Sequence, residues 1–317
     1  MTIFRRPRLA RPAGWALQRL AALGESTADQ WFRSRLPEFA IGRTLLSIPT
    51  TFGAARAWIY RPRDDGSDDR PVHLNLHGGG FVLGLPQQDD ALCRALCALT
   101  GSVIVNADYV LAPQRPFPAA VEQAYEIAIW VAGPGAAYGW DGSRLTIGGQ
   151  SAGGSLAGAV ARLALEQGGP SIALQVLHYP PLDLTIPVAE KVSTIDKPLL
   201  RPWLSDLFDS CYLSERDHAS DRLVSPAAAT DDADLTGIAP AMIIAAEHDI
   251  LRAEAERYAA RLDQVDALAE LMIIRDRDHA YDQADDEAAR ATYATIAAHL
   301  NRVAQAGDSQ RLSTSST

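Results

Sequence analysis

The sequence predicts an α/β fold, with a mostly parallel central sheet flanked by helices and covered by a helical cap. Three observations lead to this prediction. Strand-like and helix-like segments alternate along most of the chain, a glycine-flanked serine stands at one strand-to-helix junction, and one long segment interrupts the alternation. Strands that alternate with helices form parallel sheets, because each crossover helix packs back onto a face of the sheet. Ligands of such sheets bind beyond the carboxyl ends of the strands.

The composition narrows the class of protein. The chain has 317 residues, of which 47% are hydrophobic, and its formal net charge is -10. That length suits one large α/β domain with an insertion, or two modest domains, and can bury a substantial core. An acidic chain is a poor candidate for binding nucleic acid or an anionic membrane surface. No stretch of about 18 consecutive apolar residues occurs, so we expect no integral membrane segment.

The three cysteines indicate a reducing compartment. An odd and sparse count argues against a disulfide framework, and we expect a cytoplasmic protein. Cys93 and Cys97 lie four residues apart on a predicted helix and share a face. Since no histidine or further cysteine completes a ligand set nearby, we interpret them as buried apolar residues and predict no metal site.

Residues 1–50 are predicted to form a helical cap segment. Residues 13–36 read as one or two amphipathic helices. The arginines around Arg5 could touch a membrane surface, but a solvated arm ahead of a packed helix is the favoured interpretation. The apolar set of these helices is Trp15, Leu17, Leu20, Leu23, Trp31, Phe32 and Leu36.

The alternation of strands and helices begins after this segment. Residues 55–62 alternate as a strand does, and the polar residues 64–69 predict a turn or loop. Further strands are predicted at 72–76, 102–106, 144–147, 172–178, 242–246 and 271–274, with helices at 89–99, 119–130, 152–165, 253–262 and 282–303.

Two segments stand outside the alternation. Residues 51–186 and 226–305 are predicted to form the main domain, and residues 187–225 an insertion between two of its strands. An insertion of this length is typical of a lid or cap over the strand ends, although a structural flap is the alternative. Residues 306–317 are rich in Gly, Ser, Gln and Thr and predict a disordered tail.

The glycine-flanked serine is Ser151, in the run Gly-Gln-Ser-Ala-Gly from Gly149 to Gly153. Glycine two positions before and two after the serine removes side chains that would collide in a sharp strand-to-helix turn. The serine then lies over a helix N-terminus, whose free N–H groups favour negative charge. Such a motif alone is weak evidence, because ordinary strand-turn-helix connections use the same residues.

A nucleophilic serine needs a general base, and the base is most often a histidine. Seven histidines are available. His279 follows the last predicted strand and precedes a helix, so its loop can bring it to Ser151. In the chain order that a strand-end triad of this kind uses, the base comes after both the serine and the acid. We therefore predict His279 as the base.

The base in turn needs an acid that orients it. Asp249 and Glu247 follow the preceding predicted strand, and Asp249 lies further past the strand end. We predict Asp249, with a helix N-cap as the alternative role of its carboxylate. Asp276 and Asp278 are rivals, but they stand so near His279 in sequence that the loop would have to bend awkwardly.

An oxyanion hole is predicted at three adjacent glycines that follow a strand, Gly78, Gly79 and Gly80. Glycines leave backbone N–H groups uncovered and adopt conformations that other residues avoid. Together with the N–H of Ala152, these groups can converge on a developing oxyanion. The alternative is a flexible glycine turn.

These motifs resemble those of the hormone-sensitive-lipase-like branch of the α/β-hydrolases, in particular microbial carboxylesterases, over roughly residues 55–300. Together they are highly specific. The matching segments are 77–81 for the oxyanion signature, 149–154 for the serine turn, 108–114 for the branch's Y-R-L-A-P-E segment, and 249–252 and 278–281 for the acid and base.

The resemblance implies an α/β-hydrolase fold and a serine carboxylesterase for short- to medium-chain acyl esters, acting through an acyl-enzyme without metal or organic cofactor. It implies a small-molecule ester as the partner. From the acidic charge we expect no nucleic-acid partner, and a homodimer is left open. The cap segments would shape the acyl pocket, with Phe81, Trp203, Leu207 and Phe208 as substrate-binding residues. Trp15, Trp31 and Phe32 are further candidates for the lining of the acyl pocket. Core packing is the alternative for each of these seven side chains.

Other activities fit the same residues. An amidase, a deacetylase or a lactonase would use the same triad, and a non-hydrolytic receptor on this fold is disfavoured because His279 is present.

The chain also departs from the residues that are usual in this branch. Gln150 stands where an Asp is usual, Val110 and Gln114 where Arg and Glu are usual, and residues 280–281 read Ala-Tyr where Gly-Phe is usual. We interpret the loss of two acids as a matched change to neutral amides.

Overall fold

The computed structural model describes residues 2–62 and 69–314, with the backbone alone for residues 307–314. The turn predicted at 64–69 therefore lies largely outside the described residues. The strands are β1 (Arg43–Ile48), β2 (Ala55–Tyr60), β3 (Pro71–Leu76), β4 (Val103–Asp108), β5 (Asp141–Gln150), β6 (Gln175–His178), β7 (Ala241–Ala246) and β8 (Leu268–Ile274). The α-helices are α1 (Pro7–Leu23), α2 (Glu25–Ser34), α3 (Asp90–Thr100), α4 (Ala119–Ala132), α5 (Ala152–Gln167), α6 (Pro202–Tyr212), α7 (Arg252–Asp263) and α8 (Asp286–Thr314).

All eight strands form one sheet in the order β1-β2-β4-β3-β5-β6-β7-β8. Strand β2 runs antiparallel to β1 and β4, and every other pairing is parallel. Central parallel strands are covered on both faces and therefore read as continuous apolar runs. Strand β7, which is Ala-Met-Ile-Ile-Ala-Ala and wholly buried, shows this pattern. The predicted α/β fold with a mostly parallel sheet is confirmed.

The two faces of the sheet carry separate apolar cores, because successive side chains of a strand point to opposite faces. Ile243 packs in the core beneath α4, α5 and α7, whereas the next residue, Ile244, packs in the core beneath α3 and α8. Val176 and Leu177 divide in the same way between these two cores. This layering holds the carboxyl ends of β3, β5, β6, β7 and β8 at one edge of the sheet.

Helix α1 from the N-terminal segment packs on helix α6 from the insertion between β6 and β7. A Cβ on Gly14 would lie 2.6 Å from the Cys211 sulfur, so the two helices approach closely only because Gly14 has no side chain. The Cys211 thiol donates to the carbonyl of Ala10 at 3.4 Å. All three cysteines are buried and free, and for Cys93 and Cys97 the predicted burial is confirmed.

Several boundaries differ from the predictions. Residues 13–36 divide into α1 and α2 at Gly24. Strand β1 was not predicted, because its Leu45 is 54% exposed and its apolar residues do not alternate cleanly. The disordered tail was predicted from residue 306, but α8 continues to Thr314. The tail contains no proline, and adding residues to an existing helix is far easier than starting one.

No helix in the described part of the chain is both long and apolar enough to span a bilayer.

Candidate active site

Ser151 lies in a strained turn between β5 and α5. Its φ of 51° and ψ of -119° fall outside the regions that residues with a Cβ usually adopt. A Cβ on Gly149 or on Gly153 would overlap the carbonyl oxygen of Leu76 at the end of β3. The two flanking glycines are therefore needed because the turn presses against the neighbouring strand, as well as against itself. The result is a serine lifted above the sheet edge at the N-terminus of α5.

His279 connects Ser151 to Asp249. Its Nδ1 donates to Asp249 Oδ2 at 2.7 Å, and its Nε2 lies 3.0 Å from Ser151 Oγ. A carboxylate only accepts, so the ring proton is on Nδ1 and Nε2 is free to take the serine proton. The structure thus brings together all three residues predicted as nucleophile, base and acid.

Asp249 has two hydrogen-bonding roles, one for each carboxylate oxygen. Oδ1 accepts the backbone N–H of Leu251 at 3.0 Å, while Oδ2 faces His279. The capping role, considered from sequence as an alternative, therefore coexists with the orienting role. Asp249 is 3% and His279 is 7% exposed, so little water competes for their hydrogen bond.

The rival acids lie elsewhere. Glu247 accepts the backbone N–H of Asp276 at 2.8 Å, and Asp278 accepts the backbone N–H of Leu199 at 2.6 Å. Glu247, His248 and Asp276 are near enough to one another to share a cation. However, His248 Nδ1 is engaged with Thr194 Oγ1 at 2.6 Å, and no second observation indicates a ligand there.

The glycine run follows β3 in a left-handed conformation. Gly79 has φ 118° and Gly80 has φ 61°, and a Cβ on Gly80 would overlap the ring of Phe208. Among the described residues, no group accepts a hydrogen bond from the N–H of Gly79, Gly80 or Ala152. Gly78, Gly79 and Gly80 all line the cavity above Ser151. Free N–H groups at this position can bind a negatively charged oxygen.

His77 and Tyr109 hold the glycine run from below. The Tyr109 hydroxyl donates to the His77 carbonyl at 2.8 Å, and the two rings stack with centroids 4.3 Å apart. His77 Nδ1 donates to the Gly78 carbonyl at 2.6 Å. Burial lowers the pKa of His77, which keeps the ring neutral in this role.

A cavity of about 220 Å³ opens over Ser151 and His279. Of the four predicted substrate-binding residues, Phe81 and Phe208 line it. Trp203 and Leu207 do not line it, and for them the prediction is wrong. Helix α6 turns Leu204, Ser205, Phe208 and Asp209 toward the cavity. Trp203 is instead 48% exposed and contacts Phe4, and Leu207 is buried in the core.

Gln150 belongs to a buried polar network behind Ser151 that the sequence did not reveal. Its amide Nε2 donates to the carboxylate of Asp282. Asp282 also accepts the hydroxyls of Tyr179 and Tyr293, each at 2.7 Å. Burial raises the pKa of both tyrosines well above its usual range, so they remain donors. Asp282 follows the base segment, but no local pattern indicates that its side chain turns inward.

The two glutamines that replace acids have separate partners. Gln114 Nε2 donates to Gln18 Oε1 at 2.7 Å, and Gln18 in turn donates to the carbonyls of Val82 and Ala112. Gln150 pairs with Asp282 instead. Gln114 and Gln150 thus contact different groups, which argues against the interpretation of the two as a matched change.

Known proteins with similar sequences and structures are hydrolases. A family model described as the alpha/beta hydrolase fold matches residues 73–283. The chain is 34% identical over 204 residues to carboxylesterase NlhH of Mycobacterium tuberculosis, a match that covers 64% of each chain. It is 36% identical over 251 residues to carboxylic ester hydrolase LipN of the same organism, covering 77% of this chain and 65% of the relative. The chain therefore spans just under two thirds of the length of both relatives.

Among solved structures, an esterase from Pyrobaculum calidifontis is similar. It is 33% identical in sequence, and the superposition has a TM-score of 0.80 and covers 90% of this chain and 93% of that one.

Proposed function

We propose that this chain, which belongs to the α/β-hydrolase-fold family in its hormone-sensitive-lipase-like branch, hydrolyses carboxylic esters through Ser151, His279 and Asp249. One observation carries the proposal. His279 stands 3.0 Å from the Ser151 hydroxyl through one ring nitrogen and 2.7 Å from the Asp249 carboxylate through the other. The three similar proteins described above are named as a carboxylesterase, a carboxylic ester hydrolase and an esterase, which supports the same reaction.

The first half of the reaction forms an acyl-enzyme. Ser151 Oγ attacks the ester carbonyl carbon while His279 Nε2 takes the hydroxyl proton. Asp249 stabilises the resulting imidazolium, and the N–H groups of Gly79, Gly80 and Ala152 stabilise the tetrahedral oxyanion. When the C–O bond to the alcohol breaks, His279 returns the proton to the leaving oxygen.

The second half consumes water. His279 takes a proton from a water molecule, whose oxygen attacks the acyl carbon and passes through a second oxyanion in the same N–H groups. The proton then returns to Ser151 Oγ as the acid is released. No step requires a metal or an organic cofactor.

We further propose that residues 1–50 and 187–225 form the cap and that the acyl chain is short to medium in length. Leu199, Leu204 and Phe208 from the insertion line the cavity over Ser151, which supports a cap role. The volume of this cavity, about 220 Å³, is below the roughly 300–1,000 Å³ that is common for pockets that bind drug-sized ligands. This small volume supports a short to medium acyl chain.

The experiment is hydrolysis of a p-nitrophenyl ester series from acetyl to palmitoyl, with Ser151→Ala alongside. We expect a rate that peaks at short acyl groups and falls to background in the variant. The matched control is Gly158→Ala, because Gly158 lies on helix α5 and a Cβ added there would make only ordinary van der Waals contacts. A folded protein that cleaves no ester of any length would reject the proposal and favour amides, lactones or a binding role.

A further inference from the structure

The active-site cavity ends in a carboxyl group that the proposed reaction does not use. Asp209 lines the cavity over Ser151, and it also lines a second cavity of about 150 Å³ beneath the N-terminal arm. Leu184 and Val188 are the other residues shared by the two cavities, and no triad residue lines the second. Asp209 therefore lies at the end of the active-site cavity that adjoins the second cavity.

This end of the cavity is polar, whereas its walls are mostly apolar. Lys191 also lines it, but its Nζ is already engaged with Glu254 Oε2 at 2.6 Å and with the Asp183 carbonyl at 2.9 Å. Within residues 2–62 and 69–314, by contrast, no group forms a hydrogen bond or an ion pair with the Asp209 carboxylate. Its oxygens are therefore available to a molecule in the cavity.

Burial raises the pKa of Asp209 to about 7. Lys191 and Arg216 act against this rise, and Glu254 and Asp206 add to it. Near neutral pH the group is thus present in both its charged and its neutral form. Because the Asp209 carboxyl has no partner among the described residues, a hydrocarbon that displaces its water leaves it without a hydrogen bond, whereas a ligand that supplies a hydrogen-bond donor replaces that bond and binds better.

We propose that Asp209 is a specificity-determining residue that selects esters whose cavity-bound chain ends in a hydrogen-bond donor, a hydroxyl or an ammonium group. The inference rests on the proposed ester hydrolysis, because it names the substrate class of the same site. Asp209 contacts the far end of the substrate and takes no part in bond making. Sites built around a polar group reject analogues that lack the matching group far better than apolar pockets reject an extra methylene.

The test uses matched sets of three methyl esters at each chain length from butanoate to decanoate. Within a set, the terminal carbon of the acyl chain carries hydrogen, hydroxyl or ammonium. Alkyl and ω-hydroxyalkyl acetates form the corresponding pairs for a chain on the alcohol side. Acid release is followed at constant pH for the wild type, Asp209→Leu and Asp209→Asn. Ser210→Ala is the matched control, since Ser210 is uncharged and lies on the same helix but does not line the active-site cavity.

At one chain length, we expect the wild type to favour the donor-bearing ester by about tenfold in kcat/KM. In Asp209→Leu the ratio should fall to about one, while Ser210→Ala keeps the wild-type ratio. Asp209→Asn is the nearly isosteric variant if leucine prevents folding; it should favour the ammonium ester over the plain ester less than the wild type does, because its side chain carries no charge.

A wild-type ratio near one at every length, or a ratio that survives Asp209→Leu, would overturn the inference while leaving ester hydrolysis intact. Failure of the wild type to cleave any of these esters, plain or substituted, would instead be a failure of the proposed function.

Discussion

Replacing Asp249 by asparagine changes one atom of the site and should remove most of the activity. The carboxylate has two donors to satisfy, the N–H of Leu251 at 3.0 Å and Nδ1–H of His279 at 2.7 Å, and uses one oxygen for each. Asparagine has only one oxygen. If that oxygen keeps Leu251, the amide NH₂ faces His279 and forces its ring proton onto Nε2, where it blocks the transfer from Ser151.

The electrostatic part of the loss in kcat follows from the distance between the charge of Asp249 and that of the His279 imidazolium. Two unit charges about 4 Å apart at an effective dielectric constant of about 20 interact by about 4 kcal/mol. Since about 1.4 kcal/mol corresponds to a factor of ten, loss of this stabilisation of the imidazolium lowers kcat by about 10³. The wrong tautomer lowers it further. If the oxygen turns to His279 instead, the buried N–H of Leu251 loses its partner, and stability falls by about 1–3 kcal/mol.

The assay is kcat on p-nitrophenyl acetate together with urea unfolding. Asp276→Asn is the matched control, because Asp276 lies in the same loop as His279 but is exposed, whereas the ring is hydrogen-bonded to Asp249 and Ser151. The kcat of this variant should stay within about twofold of the wild type. Retention of more than about a tenth of the wild-type kcat in Asp249→Asn would refute the reasoning, since neither orientation of the amide preserves both the tautomer and the charge.

Three further perturbations test the surroundings of the triad. Tyr293→Phe removes a 2.7 Å hydrogen bond to buried Asp282 and should lower the free energy of unfolding by about 1.5–3 kcal/mol in urea, whereas Tyr138→Phe, 48% exposed, should change it little. Burial lowers the pKa of His73 from 6.5 to about 4, so between these pH values the unfolded chain binds more protons at His73 than the folded chain does, and the free energy of unfolding falls as the pH drops. His73→Gln should therefore lose less stability than the wild type when the pH is lowered from 6.5 to about 4. Equal losses in the two proteins would contradict this. Gly80 has a positive φ, and Gly80→Ala places a Cβ against the ring of Phe208, so this variant should lower kcat/KM by about tenfold or more. The double variant with Phe208→Ala should recover part of the loss. If it recovers nothing, the ring is not the obstacle.

The grouping of Ser151, Asp249 and His279 could be predicted from sequence because it follows from topology. Ser151, Asp249 and His279 each follow a parallel strand, and parallel strands present their carboxyl ends at one edge of the sheet. The flanking glycines could be predicted for a similar reason, since a turn that sharp leaves no room for side chains.

The lining of the cavity could not be predicted in the same way. Which face of α6 looks toward Ser151 depends on how that helix docks against α1, and the sequence of α6 alone does not determine its rotation. Phe208 and Trp203 are both aromatic residues on this helix, yet only Phe208 reaches the cavity. The link between Gln150 and Asp282 escaped prediction because it joins residues 132 positions apart, and neither occupies a recognisable motif position for that contact.

The central claim is that Ser151 carries the acyl group, and the most direct measurement is the mass of the enzyme during turnover. The enzyme is mixed with p-nitrophenyl acetate, quenched in acid within the first turnover and digested. We predict one acetyl group per chain on the peptide that contains Ser151, with a matching burst of p-nitrophenol, and neither signal in Ser151→Ala. An acetyl group on another residue, or steady hydrolysis by Ser151→Ala at the wild-type rate, would contradict the account.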